Sequence, residues 1–204
     1  MHARGTVVRG AKAPHVAPRP WLENFAVSPL LTQYQLVHVG IIHTTAPTQI
    51  IRTRQTTTYF LACFGGRGKV LIDGRWRVCS EGYASLLPAH TLNGFEAIPN
   101  VSWDFCWACY QRPADQRPIA GVSSPVIARF EAHAMHAAIE GLIHESLSGA
   151  QPAMLQCWVD LIHRYVLRFS TPLERDDRLH VLWERVSAKL NEDLHSFSTS
   201  RRPT

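Results

Sequence analysis

Between Tyr59 and Leu87 the apolar residues fall into four short runs: Tyr59–Phe64, Lys69–Asp73, Trp76–Cys79 and Tyr83–Leu87. Each is closed by turn chemistry, in order Gly65-Gly66 with Gly68, Asp73-Gly74, Glu81-Gly82 and Pro88. Runs this short, rich in β-branched and aromatic residues, predict strands rather than helices. Asp-Gly between two apolar runs predicts a hairpin, because a type I′ turn needs positive φ at both central residues. Strands packed this tightly predict a meandering antiparallel sheet, and such sheets close into barrels or jelly rolls to hide their edges. Upstream, Tyr34–His43 (YQLVHVGIIH) predicts a first strand and Ile50–Thr57 a second. Downstream, Val101–Gln111 alternates, with Trp103, Phe105, Trp107 and Cys109 set against Asp104, Cys106 and Ala108. That period of two places three aromatic side chains on one face of one strand.

The pattern then changes. Arg112–Pro125 holds three prolines and small polar residues and reads as a linker. From about Pro125 to Leu147 a helical face is expected from Ile127, Phe130, Ala134, Ala138, Leu142 and Ile143, stopped by Ser146, Ser148 and Gly149. A second helix is expected from about Pro152 to Phe169, with Leu155, Val159, Ile162, Val166 and Phe169 spaced four and three apart. Together they predict an αα-hairpin. A third helix, Arg178–Leu194, is announced by Asp176-Asp177 at its N-terminus and an apolar face of Leu179, Leu182, Trp183, Val186 and Leu190. The expected class is α+β: an antiparallel jelly-roll-like barrel followed by a helical region. Residues 1–20, with three prolines and no apolar period, are expected to be a flexible arm. The barrel is then assigned to residues 21–125, the helical hairpin to 126–172, and the last helix with its tail to 173–204.

Charge alters this picture little. Of the net +5, four basic residues sit in the first twenty and Arg201 and Arg202 near the end, leaving a nearly neutral body. That is not the footprint of a DNA-binding face. No apolar run reaches the length of a membrane span, and no apolar h-region follows the N-terminal arginines. A cytoplasmic protein with no membrane partner is expected. The five cysteines lie within apolar runs and read as small buried hydrophobes. Cys106-x-x-Cys109 resembles a zinc or redox motif, but on a strand residues three apart face opposite ways and cannot share one metal. His133, His136, His144 and His163 have no carboxylate or cysteine at ligand spacing, so neither a metal nor any other cofactor is expected.

The strand region resembles the effector-binding, cupin-like domain of AraC-type transcriptional regulators. The resemblance is carried by a tyrosine-led strand, Gly66-x-Gly68, an apolar strand into Asp73-Gly74, Gly82 leading to Leu86-Leu87-Pro88, and the tryptophan-rich strand before the helices. The third helix resembles the opening helix of that family's DNA-binding domain, in Asp176, Arg178 and Leu179 and again in Leu190 and Glu192–Leu194. The resemblance implies a sensor of a small molecule, sugar-like or aromatic, that pairs into homodimers through its helices. It implies contact with promoter DNA only through a helix-turn-helix domain. The ten residues after Leu194 cannot supply those helices, so this chain alone is not expected to bind DNA specifically.

Arg52 and Arg54, two apart on a strand, share a face that is either exposed to solvent or turned into the barrel. By the resemblance, ligand contact is implied for both, Arg52 being the closest match to the arginine preceding the family's Gly-x-Gly hairpin. Phe95, Phe105 and Trp107 are implied as stacking surface. The family's Pro-x-x-x-His pattern is altered here to Pro88-Ala89-His90, with Asn93 near the histidine's place. Two rival readings stand beside this one. A cupin metalloenzyme, a dioxygenase or isomerase, needs several histidines and a carboxylate converging in the barrel, and residues 56–110 hold only His90. A dimerisation-only regulator would form mixed dimers with longer relatives.

Overall fold

Thr57–Ile72 forms one sixteen-residue strand that passes from one sheet into another, where the sequence pattern suggested two strands and a turn. Its pairing with the tryptophan-rich strand slips between Cys63 and Gly65. Gly66 takes φ +65, and a Cβ there would sit 1.9 Å from the Ser102 carbonyl oxygen. The glycine pair therefore bends a continuous strand instead of ending it.

The computed structural model describes residues 3–10, 22–45, 49–53, 55–111, 124–149 and 151–171. Its strands are β1 (Ala3–Arg9), β2 (Leu22–Val27), β3 (Leu36–Thr44), β4 (Gln49–Arg52) and β5 (Thr57–Ile72). They continue as β6 (Arg75–Ser80), β7 (Tyr83–Leu87), β8 (Asn93–Ala97), β9 (Trp103–Gln111) and β10 (Val126–Arg129). The α-helices are α1 (Ala132–Ser148) and α2 (152–171), and a 3-10 turn, Pro29–Tyr34, joins β2 to β3. The larger sheet runs β10-β7-β5-β9-β3-β1-β2. The smaller one runs β6-β5-β8-β4, so the bent β5 belongs to both. Every pairing is antiparallel except β1 with β2. The β5–β6 hairpin turns at Asp73 and Gly74, with φ 49 and 72, the two positive values a type I′ turn requires.

This is the anticipated α+β class, a cupin-like jelly-roll barrel followed by helices, and it has three layers. One apolar cluster fills the space between the sheets and includes Leu61, Val70, Leu87, Trp103, Phe105, Trp107 and Cys109. A second lies between the larger sheet and the helices and includes Phe60, Ala62, Cys106, Ala108 and Tyr110 with Met135, Ile139, Leu142, Val159, Ile162 and Phe169. Alternate residues of β9 thus enter different layers, as the period of two requires. Cys106 faces the helices and Cys109 the lumen.

Several boundaries differ from the sequence pattern. Ala3–Arg9 is a strand, not an arm: it pairs with β3, and Val7 and Val8 are buried on opposite faces. Thr6-Val7-Val8 is a short β-branched run that gains its stability from covering the β3 edge, which no local pattern reveals. The helix expected from Pro125 begins at Ala132, because Val126–Arg129 pairs along β7 and covers that edge too. The second expected strand is Gln49–Arg52, with Thr57 already in β5. β2 and β8 were not anticipated. The helical hairpin is present, and Gly141 lets Trp158 approach so closely that a Cβ would meet its ring at 2.6 Å. Most of the linker, and residues 172–204 with the third helix, lie outside the described residues.

Candidate functional site

The functional candidates converge inside the barrel, at the end where β4 meets β8. Pairing places them there. Trp107 is opposite Gly40 of β3 and Leu61 of β5, and Cys109 is opposite His38 and Tyr59. The β3 register slips between Leu36 and His38, so that His38, Gly40 and Ile42 share the face turned to the smaller sheet. From that sheet, Arg52 pairs with Asn93 and Ile50 with Phe95.

Six side chains close a circuit around this wall. The Trp107 Nε1–H donates to His38 Nδ1 at 2.8 Å. His38 Nε2 lies 3.3 Å from the Tyr59 hydroxyl. The Arg52 guanidinium sits over the Tyr59 ring at 4.1 Å and over the Phe95 ring at 4.9 Å. Phe95 stands 5.9 Å from Phe105, and Phe105 stands 6.2 Å from Trp107. Arg52 is thereby held over two π-faces, where the ring quadrupoles attract its positive charge.

Electrostatics within the circuit follow from these contacts. An imidazole that accepts the indole proton at Nδ1 carries its own proton on Nε2, which assigns the His38 tautomer and makes Nε2–H the donor to Tyr59. Both ring nitrogens are engaged, and a metal would have to displace one of these bonds. Burial pushes the Cys109 thiol up to about 12, against the smaller opposing pull of Tyr59, Thr57 and the Arg52 charge. Cys109 is therefore a neutral wall residue and not a nucleophile. Among the described residues no three His, Cys, Asp or Glu side chains form a group that could hold a metal ion.

Of the residues singled out from sequence, Arg52, Phe95, Phe105 and Trp107 are together in the lumen, with Phe105 and Trp107 buried. Arg54 lies outside the described residues. Sequence reasoning missed His38 and Tyr59. The signal for His38 was a polar residue in an apolar run with glycine two places on, which marks a face where something large crosses the strand. That glycine is Gly40, where a Cβ would lie 2.5 Å from the Trp107 ring. His90, the histidine of the altered turn, is exposed.

No family model and no curated protein matches the chain. Among solved structures it is similar to a Cupin_2 domain of an XRE-family transcriptional regulator from Enterobacter cloacae, at 11% identity and TM-score 0.37 over 42% of this chain and 92% of that one. It is also similar to a predicted oxalate decarboxylase from Thermotoga maritima, at 9% identity and TM-score 0.38 over 42% of this chain and 75% of that one. A third is the Schizosaccharomyces pombe Cnp3 cupin domain, at 8% identity and TM-score 0.33, where the match covers 37% of this chain and 56% of that one. The fold assignment rests on strand order and register. No helix among the described residues is long and apolar enough to cross a membrane.

Proposed function

We propose that the barrel lumen binds a small planar anion and that the chain is the effector-sensing part of an AraC-type transcriptional regulator. The observation that carries this reading is the Arg52 guanidinium, held over the Tyr59 and Phe95 rings beside a wall that continues through Phe105 and Trp107. A cation held there offers paired N–H donors to a carboxylate, and the surrounding rings offer stacking surface to the group that bears it. Binding, not catalysis, is the role we assign. His38 is committed to Trp107 and Tyr59, and Cys109 is held as a neutral thiol, so both serve to shape the wall.

Occupancy would be read by the helical layer. β9 carries Trp107 on its lumen face and Tyr110 on the other, and the Tyr110 hydroxyl lies 3.3 Å from His163 Nδ1 of α2. We assign homodimerisation to the helices, where Met154 and Leu161 of α2 are exposed at 45% and 36%. Promoter DNA would be engaged by a helix-turn-helix domain and not by the barrel.

Isothermal titration of the purified chain against small aromatic acids and neutral sugars tests the reading. Saturable binding of an acid, lost in Arg52→Gln with the fold retained by circular dichroism, is the expected result. Binding that survives Arg52→Gln would overturn it.

A further inference from the structure

Beside Arg52 the lumen holds an acceptor with nothing to accept. Asn93 is 0% exposed and is the direct cross-strand neighbour of Arg52. Its Nδ2 donates to the carbonyl oxygens of Pro88 and Thr91, at 3.3 Å each. With both amide protons directed at carbonyls of the 88–92 loop, the orientation of the side chain is fixed. Its Oδ1 therefore points away from that loop, buried, and has no hydrogen-bond partner. A second such atom lies further along the wall. Ser85 pairs with the lumen residue Leu61, is 0% exposed, and its Oγ also has no partner. Buried polar atoms are nearly always paired, by protein, water or ligand, so these oxygens describe what is meant to lie against them.

We propose that the occupant of the barrel is an aromatic acid that also carries an O–H or N–H donor on its ring, and that Asn93 selects it. The inference rests on the preceding reading of the lumen as an anion site and adds the chemistry of the ligand's second polar group. Arg52 takes the carboxylate, the donor bonds Asn93 Oδ1, and the ring lies against Phe95, at the edge of the aromatic wall that continues through Phe105 and Trp107. Cross-strand neighbours have Cβ atoms about 5 Å apart. The donor therefore belongs on the same edge of the ring as the acid, at the position beside it or one further, and not across the ring. An acid whose ring hydroxyl is methylated, or one with no ring donor, would take the same place and leave Asn93 Oδ1 unpaired, which is how a site built for a donor rejects the analogue lacking one.

The test is titration calorimetry of the wild-type chain with benzoate and with 2-, 3- and 4-hydroxybenzoate, with glucose as a neutral control. The 2- or 3-hydroxy compound is expected to bind at least tenfold more tightly than both benzoate and the 4-hydroxy compound. Asn93→Leu should erase that preference, so that the 2- and 3-hydroxy compounds bind no more tightly than benzoate. Should this variant lose its fold for want of the loop bonds, the wild-type series alone still decides. Equal affinities across the four acids overturn the role of Asn93 and leave the anion site standing. Binding of glucose in preference to every acid overturns the ligand class. Absence of binding by all five compounds sinks both this inference and the acid-binding reading beneath it.

Discussion

The Trp107 indole N–H donates to His38 Nδ1 at 2.8 Å, joining two neighbouring strands across the lumen face of the larger sheet. This bond fixes the imidazole tautomer and thereby the direction in which Nε2 addresses Tyr59. Replacing Trp107 by Phe keeps most of the apolar volume and removes the donor. Urea denaturation should show a loss of roughly 1–3 kcal/mol, the cost of leaving a buried acceptor unmet together with some lost packing. His38→Phe in the same background should cost much less than it does alone, since its partner is already gone. Equal costs in both backgrounds would mean that the bond contributes nothing.

Gly40 is the position that lets the indole cross β3. A Cβ there would lie 2.5 Å from the Trp107 ring and 2.6 Å from the backbone oxygen of Thr6. The ring belongs to a packed core and the oxygen to a paired strand, so neither yields cheaply. Gly40→Ala should destabilise by about 1–3 kcal/mol or more, as overpacking does. Gly74→Ala is the contrast. Its Cβ meets nothing within 4 Å, and the strain arises from φ +72 alone, about 1–2 kcal/mol. The discriminating readout is Trp fluorescence: Gly40→Ala should shift the emission and Gly74→Ala should not.

Local chemistry made much of this barrel legible. Asp73-Gly74 dictates its own turn, and the alternation from Trp103 to Cys109 dictates its own faces. What stayed hidden depends on distant partners. Gly65-Gly66 has the same composition as a turn and a bend, and only pairing with β9 on one side and β6 on the other makes it a bend. His38 carries only a faint local mark, the glycine two places on, because its partner lies 69 residues away. Val126–Arg129 fits a helix by composition and is a strand because an edge of β7 needed covering. The lumen aromatics were readable as a stripe, whereas the cation among them was placed by resemblance. Its contact with Tyr59 needs β4 of the smaller sheet to face the first half of β5 in the larger one.

Thiol chemistry separates the layers. Burial raises the Cys63 thiol to about 11 and the Cys79 and Cys109 thiols to about 12, and raises Cys106 as well. Cys157, on α2, is exposed. At neutral pH one thiol in five should react with a disulfide reagent in the native protein and all five in denaturant. If copies pair through α2, prior dimerisation should slow that single reaction, and dilution should restore it. A second thiol reacting at a comparable rate would show that the lumen opens on the timescale of the experiment.

Acid should loosen the contact between α1 and the barrel. The His136 ring stacks on Phe64 of β5, centroids 3.9 Å apart. Burial lowers its pKa, Glu140 on its own helix opposes that, and the charges of His43 on β3 and His133 reinforce it, with Asp104 of β9 also opposing. His163 on α2 is lowered as well, chiefly by burial, with Asp160 opposing and Arg164 reinforcing. A histidine whose folded pKa is depressed binds its proton more readily in the unfolded chain. Stability is thus unaffected well above the ordinary histidine pKa of about 6.5 and falls as pH drops below it, until the folded-state pKa is passed. Glu96 and Asp160, whose pKa values are lowered, add their loss only in the more acidic carboxylate range. Thermal melts should therefore give a Tm that is flat from about pH 8 to pH 7 and declines from about pH 6.5 to pH 5. His136→Phe, which retains a ring against Phe64, should flatten part of that decline, and His163→Phe a further part. A Tm that holds constant down to pH 5, or a decline of the same slope in both variants, would show that neither imidazole is kept neutral by its place in the helical layer.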